Sequence, residues 1–201
     1  MRSKPLAAFA MLAPVALGLA GYVAPVGPVE VTRFNREAAL PALGHGTISI
    51  EAAPGTDPNS LEIATYQTAV GRELSRIGYQ TVSGPTGAQI AQVRVERTAY
   101  RPERNGGPVS VGGGASVGSW GSGVGLAVGI DLSGKPPEQV ATRLSVTIRD
   151  RASGETLWEG RASFTVAATA PLAQNQLGAA KMAAALFAGF PGNSGETISV
   201  P

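Results

Sequence analysis

Few residues in this chain are of a type that does covalent or metal chemistry. Its 201 residues include no cysteine and one histidine, His45, which removes thiolate nucleophiles, disulfides and thiolate metal sites and disfavours His-based triads and metal sets. His45 sits in Leu40-Pro41-Ala42-Leu43-Gly44-His45-Gly46, where a proline and two glycines interrupt any period, and reads as a solvated loop histidine. Gly129-Ile130-Asp131-Leu132-Ser133-Gly134-Lys135 has the spacing of a phosphate loop. It continues, however, with Pro136 where a Mg²⁺-binding hydroxyl is needed, and Asp131 puts negative charge where phosphate would sit. No acid and base stand at a recognisable spacing, and there is no metal set and no Gly-x-Ser-x-Gly elbow. The expectation is a protein that is not an enzyme and needs no cofactor. The competing class is a hydrolase using carboxylates such as Glu51, Asp131 or Asp150, although a lone aspartate in a turn, as Asp150 is, more often caps that turn.

The strongest functional signal is an address. Arg2 and Lys4 precede an apolar run from Leu6 to Leu19, followed by small residues, the pattern of an export signal over residues 1–20 with cleavage expected between Ala20 and Gly21. The run is shorter than the roughly 20 residues of a spanning helix and holds Pro14 and Gly18. Leu19-Ala20-Gly21 has the form of a lipobox, except that Tyr22 replaces the cysteine. A phenol cannot take the place of the thiol that is joined to lipid, so lipidation at position 22 is not expected. The formal charge of +2 does not point to a polyanionic partner. Two of the 16 basic side chains are Arg2 and Lys4, and the remaining 14 balance the 14 acidic ones, leaving no bulk pull on nucleic acid.

The rest of the chain must fold as one domain, since 43% hydrophobic and 15% charged residues suit a globular core and the length suits a single unit. Residues 21–28 are a Pro-rich spacer, and residues 29–201 form the domain. Val29–Phe34 and Thr47–Ala52 read as strands. Asp57-Pro58-Asn59-Ser60 is a helix start, after which Ile63, Tyr66, Val70, Leu74 and Ile77 share one face and Gly78 ends the helix. Tyr79–Ser83 and Gln92–Tyr100 are further strands. Arg94, Arg97, Arg101 and Arg104 make a local basic patch that reads as a solvated, salt-paired strand face. Thr142–Arg149 and Thr156–Val166 form a hairpin around Asp150–Gly154, with Trp158 as a packing aromatic. Gln174–Phe190 is a second helix, apolar on two faces (Leu177, Ala180, Ala184 and Phe187 on one; Met182, Leu186 and Phe190 on the other), expected to be mostly buried or to meet a partner. Ile198–Val200 adds an edge strand.

Residues 105–134 hold 11 of the 27 glycines. Within them Val124, Leu126, Val128, Ile130 and Leu132 alternate with glycine, alanine and aspartate, and Val109–Val111 with Val117–Trp120 can supply an opposing arm. A strand pair with one bare face is weakly specified in register and is a natural pairing edge. Trp120, Val124, Leu126, Val128 and Ile130 are therefore the candidate interaction residues. A mobile surface loop is the plainer reading.

The landmarks in order resemble a bacterial envelope lipoprotein family called domain of unknown function 4136. They are Thr32-Arg33-Phe34, Leu74-Ser75-Arg76-Ile77-Gly78-Tyr79, Ile148-Arg149-Asp150 through Leu157-Trp158-Glu159-Gly160, and Phe187-Ala188-Gly189-Phe190-Pro191. The resemblance implies a periplasm-facing α+β domain with a glycine-rich stretch before the last hairpin. It implies no catalytic residues, and Tyr22 departs from the family's usual anchor cysteine. The expected fold is α+β, a mostly antiparallel sheet of about six to seven strands with two helices on one face plus a Gly-rich hairpin. The expected protein is exported to the periplasm or the periplasmic face of the outer membrane, near the membrane. Its expected role is as an interaction or assembly module whose partner is an unknown envelope protein or a second copy. The alternatives are an envelope hydrolase and a glycine-rich hairpin that inserts in membrane or completes an oligomer.

Overall fold

Alternating apolar residues turn one side of each long strand inward, and the pairing of the strands follows from that. The computed structural model describes residues 27–103, 109–118, 121–130 and 136–201, with the stretches 109–118 and 121–130 described by their backbone. The strands are β1 (Val29–Asn35), β2 (Thr47–Ala52), β3 (Gln80–Val82), β4 (Gln89–Tyr100), β5 (Val109–Gly118), β6 (Gly121–Ile130), β7 (Gln139–Asp150), β8 (Thr156–Ala167) and β9 (Thr197–Val200). The helices are α1 (Leu61–Arg76) and α2 (Asn175–Phe187). Seven strands form one sheet in the order β3-β2-β4-β7-β8-β1-β9, while β5 and β6 pair antiparallel in a two-stranded sheet of their own.

The sheet is mixed, which corrects the expectation of a mostly antiparallel one. β2 runs parallel to both β3 and β4. The cause is α1, a crossover helix that carries the chain from β2 back to start β3 in the same direction. Leu40–Ala42, expected to begin a loop running to Gly46, instead belong to a 3-10 turn, Glu37–Ala42, with Pro41 inside it. Helix α2 ends at Phe187, before the expected Phe190.

Both helices lie on one face of the sheet. Ile63, Tyr66, Val70 and Leu74 of α1, and Ala179, Met182, Ala183 and Leu186 of α2, are buried against Val29 and Val31, Ala91 and Val93, Leu144, Val146 and Ile148, and Trp158, Ala162 and Phe164. Stripe positions Leu177, Ala180 and Ala184 of α2 remain exposed, so only part of that apolar helix is covered. Helix α1 stops where the sequence places its end. Gly78 has φ +115, Tyr79 N–H reaches Leu74 O at 3.0 Å and Gly78 N–H reaches Ser75 O at 3.3 Å, the two bonds of a left-handed glycine cap. A Cβ at Gly78 would also overlap the Gly44 carbonyl oxygen.

Trp158 anchors the other end of the core. It is fully buried, stacks on Phe187 with ring centroids 5.4 Å apart, and donates from Nε1 to Pro191 O at 2.9 Å. Two residues on along the same strand face, Gly160 is obligatory, because a Cβ there would overlap the indole ring and lie 2.8 Å from Leu186 Cδ1. That contact explains the Trp-Glu-Gly sequence of β8.

Candidate interaction site

The face of the sheet opposite the helices carries no second layer among the described residues, and its chemistry follows from strand register. Arg94, Ser145, Arg161, Thr32 and Thr197 stand side by side across β4, β7, β8, β1 and β9, and Glu96, Arg143, Ser163, Glu30 and Ser199 form the adjoining row. Short hydroxyl side chains make the floor and long charged ones the rim of a depression of about 500 Å³. Arg143 Nη1 is 3.7 Å from Glu96 Oε2, Arg161 pairs with Glu159 at 2.6 Å, and the Arg161 guanidinium lies 5.7 Å above the centre of the Phe34 ring. More than half of the Arg143, Glu96 and Arg161 side chains is exposed. Such pairs hold by at most about 1 kcal/mol, so a ligand can exchange with them.

The basic patch read from the sequence is divided between the two faces. Arg94 is on the open face and donates to Pro54 O at 2.5 Å, whereas Arg97, at the opposite parity, points under the helices. There its Nη1 donates to Glu62 Oε1 at 3.0 Å and to Asn175 Oδ1, and Nη2 donates to Ala173 O at 2.6 Å. Glu62 and Asn175 lie in the first turns of α1 and α2, so one guanidinium ties both helix starts to β4. Burial pushes the neighbouring Tyr66 phenol up, with Arg97 opposing. Arg101 is exposed; Arg104 lies outside the described residues.

A second inward arginine was not singled out as functional or structural in the sequence. Arg33 is 5% exposed and donates to the carbonyls of Leu186 (2.9 Å), Ala185 (3.0 Å) and Ala188 (2.7 Å) at the end of α2. Desolvation lowers its pKa and Glu196 opposes that. The signal available was parity, since Val29, Val31 and Arg33 share a strand face.

The carboxylates are engaged locally. Glu51 accepts from Arg151 at 2.7 Å. Asp150 accepts from the backbone N–H and the hydroxyl of Ser153, both at 2.8 Å, bonds that hold its carboxyl below the usual range. Asp131 lies outside the described residues. His45 is exposed, with Nδ1 3.1 Å from Leu43 O. Among the described residues no three His, Cys, Asp or Glu side chains gather as a metal site, and no helix is long and apolar enough to cross a membrane.

Of the candidate interaction residues, Val124, Leu126, Val128 and Ile130 fall on β6 opposite Ala115, Gly113, Val111 and Val109 of β5. Trp120, Ala20, Gly21 and Tyr22 lie outside the described residues. The strand pair is inserted between β4 and β7, whose last pairing is Tyr100 with Gln139. That end of the sheet is a distinct pole. β1 begins there, because Glu30 pairs with Ser163 near the end of β8, and both helices begin there, because both reach Arg97.

Comparison with known proteins agrees with this architecture. Residues 34–192 match the family described as "Domain of unknown function (DUF4136)". An uncharacterized protein of Zymomonas mobilis subsp. mobilis is 26% identical over 215 aligned positions, covering 86% of this chain and 80% of that one. Among solved structures, a PDZ domain protein from Parabacteroides distasonis aligns with TM-score 0.51 and 11% identity over 87% of this chain, a likeness of fold. The chain spans 39% of the length of that protein. A PelC dodecamer from Paraburkholderia phytofirmans aligns with TM-score 0.40 and 12% identity, over 81% of this chain and 98% of that one. With most of its length matched, from the end of β1 through the close of the loop after α2, the chain belongs to the DUF4136 family.

Proposed function

We propose that this protein is an exported component of the cell envelope, residing in the periplasm or at the periplasmic face of the outer membrane, and that it works as a non-enzymatic interaction or assembly module. The observation that carries the reading is the placement of the glycine-rich insert. It is built between β4 and β7, two adjacent central strands that pair along twelve positions each, so a flexible composition is held on the most constrained part of the sheet. An insert on such a base presents a contact surface without loosening the core. The Gly-rich hairpin, with Trp120, Val124, Leu126, Val128 and Ile130, is the proposed contact element, and its partner is an unknown envelope protein or a second copy of the chain. The export signal over residues 1–20, with cleavage between Ala20 and Gly21 and no lipid at Tyr22, supports the location.

Two measurements test this. Crosslinking in the native envelope, followed by identification of the attached chains, should capture a specific partner that is lost when residues 106–134 are replaced by a short turn. The same replacement should shift the elution volume on size exclusion if the partner is a second copy. Unchanged crosslinks together with unchanged elution would overturn the assignment of the insert as the contact element.

A further inference from the structure

The depression on the open face is lined by charges that cancel. Two arginines, Arg143 and Arg161, and two glutamates, Glu30 and Glu96, stand around hydroxyls that include Ser145 and Ser163. Arg161 is already committed, since its Nε donates to Glu159 at 2.8 Å and its guanidinium lies over the Phe34 ring. Arg143 is held less closely, because its Nη1 stands 3.7 Å from Glu96, beyond hydrogen-bond reach. Glu30 forms no salt bridge among the described residues. Its Oε1 accepts a long bond, 3.3 Å, from the Ser199 hydroxyl.

Register sets these two groups on either side of one serine. Arg143 of β7 and Glu30 of β1 both pair with Ser163 of β8, and all three residues are exposed on the same face. Neighbouring strands lie about 4.8 Å apart, so the two backbones are separated by about 10 Å. Two N–H···O bonds of about 2.9 Å, one at each end, leave about 4 Å between them. That gap suits an ammonium and a carboxylate carried on one carbon. The two ends of a peptide are too far apart, since each added residue lengthens a chain by about 3.5 Å.

The sign of the lining narrows the choice further. A simple anion drawn to Arg143 meets Glu96 and Glu30, and a simple cation drawn to Glu30 meets Arg143 and Arg161, so neither is attracted on balance. A molecule with both charges satisfies both sides at once.

We propose that this depression binds a free α-amino acid, whose carboxylate accepts from the Arg143 guanidinium and whose ammonium donates to the Glu30 carboxylate, bridging over Ser163. The guanidinium has five N–H donors, enough to keep its contact with Glu96, and the Ser163 hydroxyl can serve either end of the ligand. The depression, about 500 Å³, is open, so the site selects the zwitterionic centre and leaves the ligand's own side chain in water. The site is apart from the glycine-rich insert and does not rest on the envelope reading.

The test is a titration of the ¹⁵N-labelled full chain with alanine at pH 7 and constant ionic strength, followed by the amide shifts of Thr32, Arg143 and Ser163. These amides should move saturably. Acetate, methylammonium, alanylalanine and trimethylglycine, which keeps both charges but has no N–H to donate, should each bind about tenfold more weakly or worse. Arg143→Gln and Glu30→Gln should each weaken alanine about tenfold. Glu30→Gln should at the same time strengthen acetate, a reciprocal change that a damaged fold does not produce. Arg72→Gln, exposed on α1 at the other face, should leave alanine within about twofold.

The proposal is overturned if these amides show no saturable shift, if acetate or methylammonium binds as tightly as alanine, or if Glu30→Gln lowers alanine and acetate alike. O-phosphoethanolamine binding more tightly than alanine would also overturn it, giving the site to a lipid headgroup instead. Partner crosslinking through the insert is scored separately, so either result can fail without the other.

Discussion

The two faces of the seven-stranded sheet use the same strands for opposite purposes. On the covered face Val31, Val93, Val146, Ala162 and Trp158 interlock with two helices, and even the polar residues are fixed, with Arg33 held by three carbonyls. On the open face the intervening positions carry serine, threonine, arginine and glutamate whose pairs are exposed. Alternation along one strand separates residues that define the fold from residues free to meet something else. The lesson is that each side chain's consequence is set by its parity more than by its type, since Arg33 and Arg161 are both arginines in neighbouring strands.

That contrast is open to direct attack. Trp158→Ala removes the stacking on Phe187 and the bond to Pro191 O and leaves a cavity. It should cost about 4 kcal/mol in chemical denaturation, or prevent folding. Arg33→Met keeps the inward stem but leaves the ends of the α2 carbonyls unpaired, and a loss of about 3 kcal/mol is expected from the same measurement. Tyr66→Phe should cost about 1 kcal/mol at neutral pH through loss of the hydrogen bond between its hydroxyl and the Thr142 side chain, and it should change the alkaline limb. Because burial raises the folded-state pKa of Tyr66, its contribution is complete below the ordinary tyrosine pKa of about 10 and fades as pH rises through the folded value. The wild-type chain should therefore lose stability in that range more steeply than Tyr66→Phe, as read by melting temperature against pH. On the open face, Arg143→Ala should change stability by less than about 0.5 kcal/mol. A large loss there would mean that the open face is structural too, and the comparison would fail.

Much of this division was legible in the sequence, because it is written in period-two and period-3.6 patterns that depend only on backbone geometry. Thr47–Ala52 has its expected bounds, and the α1 face read from Ile63, Tyr66, Val70 and Leu74 is the face that is buried. Alternation does not encode strand direction, so the parallel placing of β2 beside β3 and β4 was beyond it. A 3-10 turn has no long period, which is why Leu40–Ala42 reads as loop although it closes the turn Glu37–Ala42. The basic patch misled for a related reason. Proximity in sequence grouped Arg94 with Arg97, while an odd spacing sends them to opposite sides of β4. Composition singles out the contact residues of the glycine-rich segment, whereas the exposure of Leu61 and Leu177 depends on how the two helices are placed on the sheet.

The order of strands also bears on how such a chain is made. β1 is the first element synthesised, yet its neighbours on either side are β8 and β9, so Glu30 waits for Ser163 and then Ser199. Through most of translation that apolar strand has no mate, and its inward arginine has no helix end to hold. The sheet can close around β1 only once most of the chain is available, so these contacts of long sequence separation slow folding.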